Sequence, residues 1–262
     1  MSRTRQINGQ LRHLAGWLPD LPDHRDLKYA APRRLLRSGR PAKVDLRDRC
    51  SRVENQGALG ACTASAATSA VEFLYRSAGR PAPDLSRLFC YFATRVWVEN
   101  RDAAEDSGAM IRNAMKALAS HGCCLEVTWP YDAKRYAQVP SAAAQKEAKD
   151  HQILWYYRIP NLDSIKLCLA EGLPVVGGFA MPASTTSVAT RKSGVVTYPG
   201  PRERFIGGHA VLFCGYNDAT ERLTFMNSWG EGWGEKGFGY LPYKFVTSWL
   251  ANDFWAVRTA EM

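Results

Sequence analysis

Residues 227–243 read NSWGEGWGEKGFGYLPY. An apolar run, LTFM at 223–226, leads into this stretch, and FGYLPY at 238–243 leads out of it. Both runs are short, rich in aromatic or β-branched residues, and bounded by glycine and charged turns, so both are expected as strands. The glycines at 230, 232, 234 and 237 set a tight loop between them. Asn227 therefore stands at the end of a strand, where a rigid backbone can aim its amide. Similar runs precede it: LPVVGGFAM at 173–181, GVVTYP at 194–199 and HAVLFCGYN at 209–217; DFWAVR follows at 253–258. One helical stretch, 161–172, interrupts this β-rich part.

Before residue 132 the pattern is helical. CTASAATSAVEFLYRSAG, from Cys62, predicts a helix ending near Gly79, with Ala67, Ala70, Val71 and Leu74 as one apolar stripe. A second helix is expected to start near Ser86, and a third covers SGAMIRNAMKALASHGC with Gly122 as its stop. The expected organisation is a basic, proline-containing segment over 1–40, a mainly helical domain over 41–132 and a mainly β domain over 133–262. The fold class is α+β.

Four side chains can act together. Cys62 sits where a glycine-containing loop becomes a helix, and the N–H groups and dipole there favour thiolate over thiol. His209 opens a strand after Gly207-Gly208, rigidly held yet able to face a cleft. Asn227 can accept a hydrogen bond from one nitrogen of that imidazole and leave the other to the thiolate. Gln56 can aim its side-chain amide at an oxyanion, with the Cys62 backbone N–H as second donor. Trp229 can cover the His–Asn bond. Asp102, Glu105 and Asp106 read as a solvated acidic face. No phosphate loop, dinucleotide fingerprint or His-Glu-x-x-His occurs, and neither a metal nor a cofactor is expected.

Taken together, NQGALGACTASAATS at 55–69, SGAMIRNAMKALASHG at 107–122, GGHAVLFCGY at 207–216 and NSWGEGWGEKGFGYLPY resemble the papain-like cysteine peptidases. TWPYD at 128–132 is a further echo. The resemblance implies two domains, one helical and one an antiparallel β-barrel-like domain, with the active site in the cleft between them. It implies Cys62 as nucleophile, His209 as base, Asn227 as orienter, Trp229 as shield, and Gln56, six residues before the thiol, as oxyanion donor. Substrate is implied to lie extended along Gly108 and Ala109. An apolar side chain two residues before the cut would face a pocket partly formed by Ile111, Gly208 and Ala210. The expected activity is endopeptidase hydrolysis through an acyl-enzyme. The rival readings are another acyl-transfer or deamidating enzyme of transglutaminase-like type, and a non-enzymatic binding protein on the same scaffold.

The chain also departs from that family. Leu59 stands where a cysteine is usual, and that cysteine's partner position falls near Asp106, so the disulfide beside the nucleophile is missing. Thr63 replaces an aromatic residue, leaving that wall open or repacked. Gly208 replaces an acidic residue before the histidine. The seven cysteines form no Cys-x-x-Cys, and their odd number leaves at least one thiol free.

Composition narrows the rest. The 262 residues are 46% hydrophobic with a net charge of +9, and residues 1–52 hold 13 basic against 5 acidic residues. That basic arm lacks the aromatic interleaving or zinc-finger spacing that would point to nucleic acid. No apolar run is long enough for a membrane span, and the first residues show no secretory signal. With the disulfide missing, the compartment expected is the cytoplasm or one reached by a non-classical route. The expected partners are a peptide or protein substrate, and the expected state is monomeric. In the leading segment Trp17, Leu18, Leu21, Leu27 and Tyr29 can pin an extended chain over the body. Residues 13–38 are expected to run over or beside the cleft and inhibit within the molecule, with Arg33-Arg34 and Arg37 as trimming sites; a fixed buttress is the alternative.

Overall fold

A computed structural model describes residues 16–260 apart from 34 and 36–38. The expectations on residues 1–15, including His13, and on Arg34 and Arg37 lie outside the described residues. Strand β1 is Trp17–Leu18 and β2 is Lys43–Asp45. Helix α1, Cys62–Ser77, is followed by α2, Arg87–Phe92, which Ser86 caps by accepting from the Phe89 amide. Strand β3, Ala109–Met110, leads into α3, Ile111–Ser120, which ends before Gly122 at φ +74°. Then come α4, Ala142–Glu147; β4, Ile153–Ile159; and α5, Leu162–Glu171, capped by Asn161 and closed by left-handed Gly172. The remainder is β5, Val175–Pro182; α6, Val188–Ser193; β6, Phe205–Asn217; β7, Arg222–Met226; β8, Phe238–Pro242; α7, Tyr243–Thr247; and β9, Ala251–Ala260.

The sheet is ordered β4-β9-β5-β6-β7-β8, with β2 also on β6, and every one of these pairings is antiparallel. A closed barrel needs a ladder between its first and last strands. Here β4 and β8 do not pair. The edge at β4 carries a bridge to the leading segment, Lys28 with Arg158, and the edge at β8 carries isolated bridges from Val195 to Tyr240 and from Glu235 to Phe238. The β-barrel-like expectation is therefore corrected: the sheet is open. Register shifts between β4 and β9, β5 and β9, and β6 and β7 bend it without closing it. GVVTYP contributes the Val195 bridge and no strand, whereas ILWYYRI at 153–159, not anticipated, is β4.

Helix α1 is the hub. Residues Cys62 to Tyr75 are all buried, so the expected single stripe is instead a helix enclosed on every side. It packs on α2, α3, β5, β6 and β9. Its alanines let these neighbours approach closely, and buried Ser65 and Thr68 return their hydroxyls to the carbonyls of Ala61 and Ala64. No side chain caps its N-terminus, so the first-turn N–H groups are left for other acceptors.

All seven cysteines are free thiols. Asp106 does the joining work beside the nucleophile loop. Its carboxylate accepts from the Gly60 amide at 3.1 and 3.2 Å and from the Tyr91 hydroxyl. It is thus half-buried and engaged, not part of a solvated acidic face. Asp106→Ala would leave the Gly60 N–H and the Tyr91 hydroxyl without that acceptor, costing about 2–3 kcal/mol. The expected result in thermal unfolding is a midpoint lowered by roughly 4–12 °C, with Asp106→Asn recovering part of it.

Candidate active site

The N-terminus of α1 meets β6 at the centre of the molecule. Cys62 and His209 are both fully buried. The backbone N–H of Ala210, the neighbour of His209, points at the Cys62 sulfur, as do those of Gly16, Thr63 and Cys62 itself. These donors favour thiolate, as the helix position predicts. Burial opposes them and wins: the thiol is pushed up to about 11. The expectation of a lowered pKa is therefore reversed in this buried arrangement.

His209 Nε2 lies 2.7 Å from Asn227 Oδ1, which also accepts from the Ser228 amide at 2.8 Å. Oδ1 can only accept, so Nε2 carries the proton in the neutral ring and Nδ1 is the nitrogen left for proton exchange. Trp229 stacks on the imidazole at 4.6 Å and 29°, and Phe179 meets it edge-on at 5.8 Å. The ring is held by one hydrogen bond and two aromatic walls.

Gln56 is also fully buried. Its Nε2 donates to the Leu59 carbonyl at 2.8 Å and its Oε1 accepts from Ser228 Oγ at 2.6 Å. The Tyr131 hydroxyl donates to its backbone carbonyl at 2.8 Å, and its own amide donates to Ser228 O at 2.9 Å. Ser228 and Tyr131 were not singled out in the sequence, although both lie in quoted motifs. Thr63 is buried, so its wall is repacked and not open.

The leading segment crosses this site. Strand β1 pairs in parallel with β3, Trp17 opposite Ala109, and the Ala109 amide donates to Gly16 O at 2.8 Å. Gly16 is wedged against two other glycines: a Cβ on Gly16 would lie 1.9 Å from Gly60 O, and one on Gly108 would lie 2.3 Å from Gly16 O. Gly208 lies under the Trp17 carbonyl and ring. Ile111 and Ala210 are buried. From this segment the Gly16 amide N–H reaches the thiol.

Beyond β1 the segment is latched to the body. Asp20 donates its amide to Asp253 Oδ2 at 2.7 Å, and its carboxylate accepts from the Arg112 amide at 3.1 Å and Trp255 Nε1 at 2.8 Å. Arg112 reaches the Leu21 carbonyl and Asp26, each at 2.6 Å. Arg158 binds Asp253 Oδ1 at 3.0 Å, and its amide donates to Leu27 O at 2.7 Å. Of the five expected pins, Trp17 and Tyr29 are buried, Leu18 is half-buried, and Leu21 and Leu27 are exposed. Hydrogen bonds and ion pairs do the holding that those two leucines were expected to do. Among the described residues no metal-binding group of His, Cys, Asp or Glu occurs, and no helix is long and apolar enough to cross a membrane.

Residues 40–245 match the model of the papain family of cysteine proteases. The chain is 37% identical over 215 residues to an uncharacterized peptidase C1-like protein of Acanthamoeba polyphaga mimivirus, spanning 78% of this chain and 68% of that protein. It is 27% identical to a viral cathepsin of Adoxophyes honmai nucleopolyhedrovirus, covering 84% of this chain and 62% of the relative. Among solved structures it is similar to xylellain, a cysteine protease from Xylella fastidiosa, with TM-score 0.86, 32% identity, and 97% and 99% of the two chains covered. The chain belongs to the papain family of cysteine proteases and is a thiol endopeptidase working through a Cys/His pair, on an α+β two-domain papain-like fold whose antiparallel sheet is open.

Proposed function

We propose that Cys62 is the nucleophile of this peptidase and His209 its base, with Asn227 orienting the imidazole and Trp229 shielding the Asn227–His209 bond. What supports this reading is that the Ala210 amide is directed at the Cys62 sulfur while the adjacent His209 has its Nε2 committed to Asn227, leaving Nδ1 for proton exchange. The thiolate attacks the scissile carbonyl, and the oxyanion is met by the Gln56 side-chain amide and the Cys62 N–H. Protonated His209 gives its proton to the leaving amine. Water then attacks the acyl-enzyme with His209 as base. Substrate lies along Gly108 and Ala109, its neighbouring side chain toward Ile111, Gly208 and Ala210. The helical residues 41–132 and the sheet-bearing residues 133–262 carry the two sides of the cleft.

The leading segment is an intramolecular inhibitor in this reading. It takes the backbone partner that substrate needs at Ala109 and buries the thiol. An epoxide-type irreversible thiol inhibitor with a leucyl side chain tests both points. The full chain should label slowly, and a chain begun near residue 41 should label at Cys62 and hydrolyse small peptides. Cys62→Ala should abolish both, and Asn227→Ala should lower kcat by about 10²-fold. Equal labelling and activity in the full and shortened chains, without processing, would remove the inhibitor role; labelling at another cysteine would remove the nucleophile assignment.

Docking of this segment depends on pH through Asp20 and Cys62. Burial, and next the neighbouring Asp253 carboxylate, push Asp20 up to about 6 against the pull of Trp255 and Arg112. A group whose docked value exceeds its ordinary 3.8 takes up a proton on docking. Its contribution is full below about 3.8 and is lost as pH rises through about 6. Cys62 has the same sign, its contribution being lost as pH climbs from the free thiol range toward about 11. Hydrogen exchange at the Leu18 amide, corrected for its intrinsic pH dependence, should show protection falling between pH 4 and pH 7. Asp20→Asn should flatten that fall; an unchanged profile in the variant would reject Asp20 as its source.

A further inference from the structure

Gly178 and Gly208 lie on adjacent strands, in β5 and β6, with Gly208 opposite Ala180 and Gly178 opposite Ala210. Neither takes a positive φ, so turn geometry does not call for glycine at either position. What a side chain there would meet is the indole of Trp17. A Cβ on Gly178 would lie 2.2, 2.3 and 2.6 Å from Trp17 Cε2, Cδ2 and Nε1. One on Gly208 would lie 2.7 Å from Cε3 and 2.6 Å from the Trp17 carbonyl oxygen. The bicyclic ring thus lies against bare backbone from two strands. Trp17 is 8% exposed, so the pocket takes up the ring almost whole.

The position of this pocket follows from the backbone. Trp17 pairs with Ala109, and the residue before it reaches the Cys62 sulfur. A peptide aligned on Ala109 delivers a side chain to the same place. We infer that Gly178 and Gly208 make this peptidase selective for substrates carrying a large flat aromatic side chain, tryptophan foremost, in the pocket Trp17 fills. The inference rests on the proposed alignment of substrate along Ala109 and replaces a general apolar preference with a named class. Two missing side chains create a slot wide enough for an indole. A leucine side chain would leave much of that slot unfilled, and unfilled apolar space forfeits contacts. A cationic side chain has little to gain there, because Asp253, the nearby carboxylate on β9, already binds Arg158 at 3.0 Å.

The full chain provides the test, since its own leading segment reads the pocket. Trp17→Tyr, Trp17→Leu and Trp17→Ala should label at Cys62 progressively faster with iodoacetamide, about 10-fold for leucine and about 100-fold for alanine. Gly178→Val should also speed labelling with Trp17 intact, by excluding the ring. Leucine at 17 protecting the thiol as well as tryptophan would overturn the inference. Trp17→Ala should then be assayed on a series of blocked peptide amides differing only at the side chain facing this pocket. Tryptophan should exceed leucine and arginine by about 10-fold or more in kcat/KM, and adding Gly178→Val should lower the tryptophan-to-alanine ratio by at least 10-fold. Equal rates across the series, or arginine foremost, would overturn it. Cys62 labelling without cleavage of any member would instead count against the catalytic reading, and the labelling series would still judge the pocket.

Discussion

The closed state depends on a contact between backbones at Gly16. Gly60 comes from the loop before α1, Gly108 from the turn before β3, and Gly16 from the segment laid between them. A methyl group on Gly16 would strike Gly60 O, and one on Gly108 would strike Gly16 O. With Gly16 and Gly108 bare, the Gly16 carbonyl can reach the Ala109 amide and the Gly16 amide the sulfur. The covering of Cys62, the seating of Trp17 and the entry of Asp20 into its latch all follow from that register. Gly108 also has φ +71°, a conformation that resists most side chains in addition to the steric demand.

Two opposing effects then act on the thiol. The first turn of α1 and the Ala210 amide favour its anion, whereas removal from water favours its neutral form. Removal from water is the larger, and the thiol is pushed up to about 11. The leading segment bears on this balance in two places: its Gly16 carbonyl takes the Ala109 amide, and its Gly16 amide lies at a thiol removed from water. The amide donors are carried by the body of the protein, apart from that of Gly16, and stay when the segment leaves.

The family was legible because its residues sit in long, glycine-marked motifs, and glycine and cap residues also set the ends of α2, α3 and α5. Closure of the sheet was not legible. It depends on whether β4 and β8 meet, a relation between strands far apart in the chain that no local pattern encodes. Strand β4 was overlooked because it lacks alternation: Ile153 and Ile159 are buried while Leu154 and Trp155 face out. GVVTYP has the right composition, yet it meets β8 through one bridge, at Val195, flanked by hydrogen bonds of Gly194 and Val196 with Tyr240. Gly178 and Gly208 read simply as strand glycines until Trp17 is seen against them.

Release of the leading segment is a problem of two anchors with different physics. Trp17 is held by shape and burial, which vary little with pH or salt. Asp20, Asp26, Arg112, Arg158 and Asp253 form a network of partly buried charges, in which losing one partner strands another. Arg112 is the member that spans most of it, reaching Leu21 and Asp26 while its own amide supports Asp20 and its guanidinium lies 5.7 Å from the Trp255 ring centroid. The charged anchor lies beyond Trp17 in the chain, toward Tyr29, so cutting the segment in the region of Arg33 would not by itself free the pocket. Both anchors would still be seated on the body. A change that lifts the segment must therefore undo both anchors, because loss of the arginine–carboxylate network leaves the Trp17 ring buried and loss of the ring leaves Asp20 and Asp26 bound.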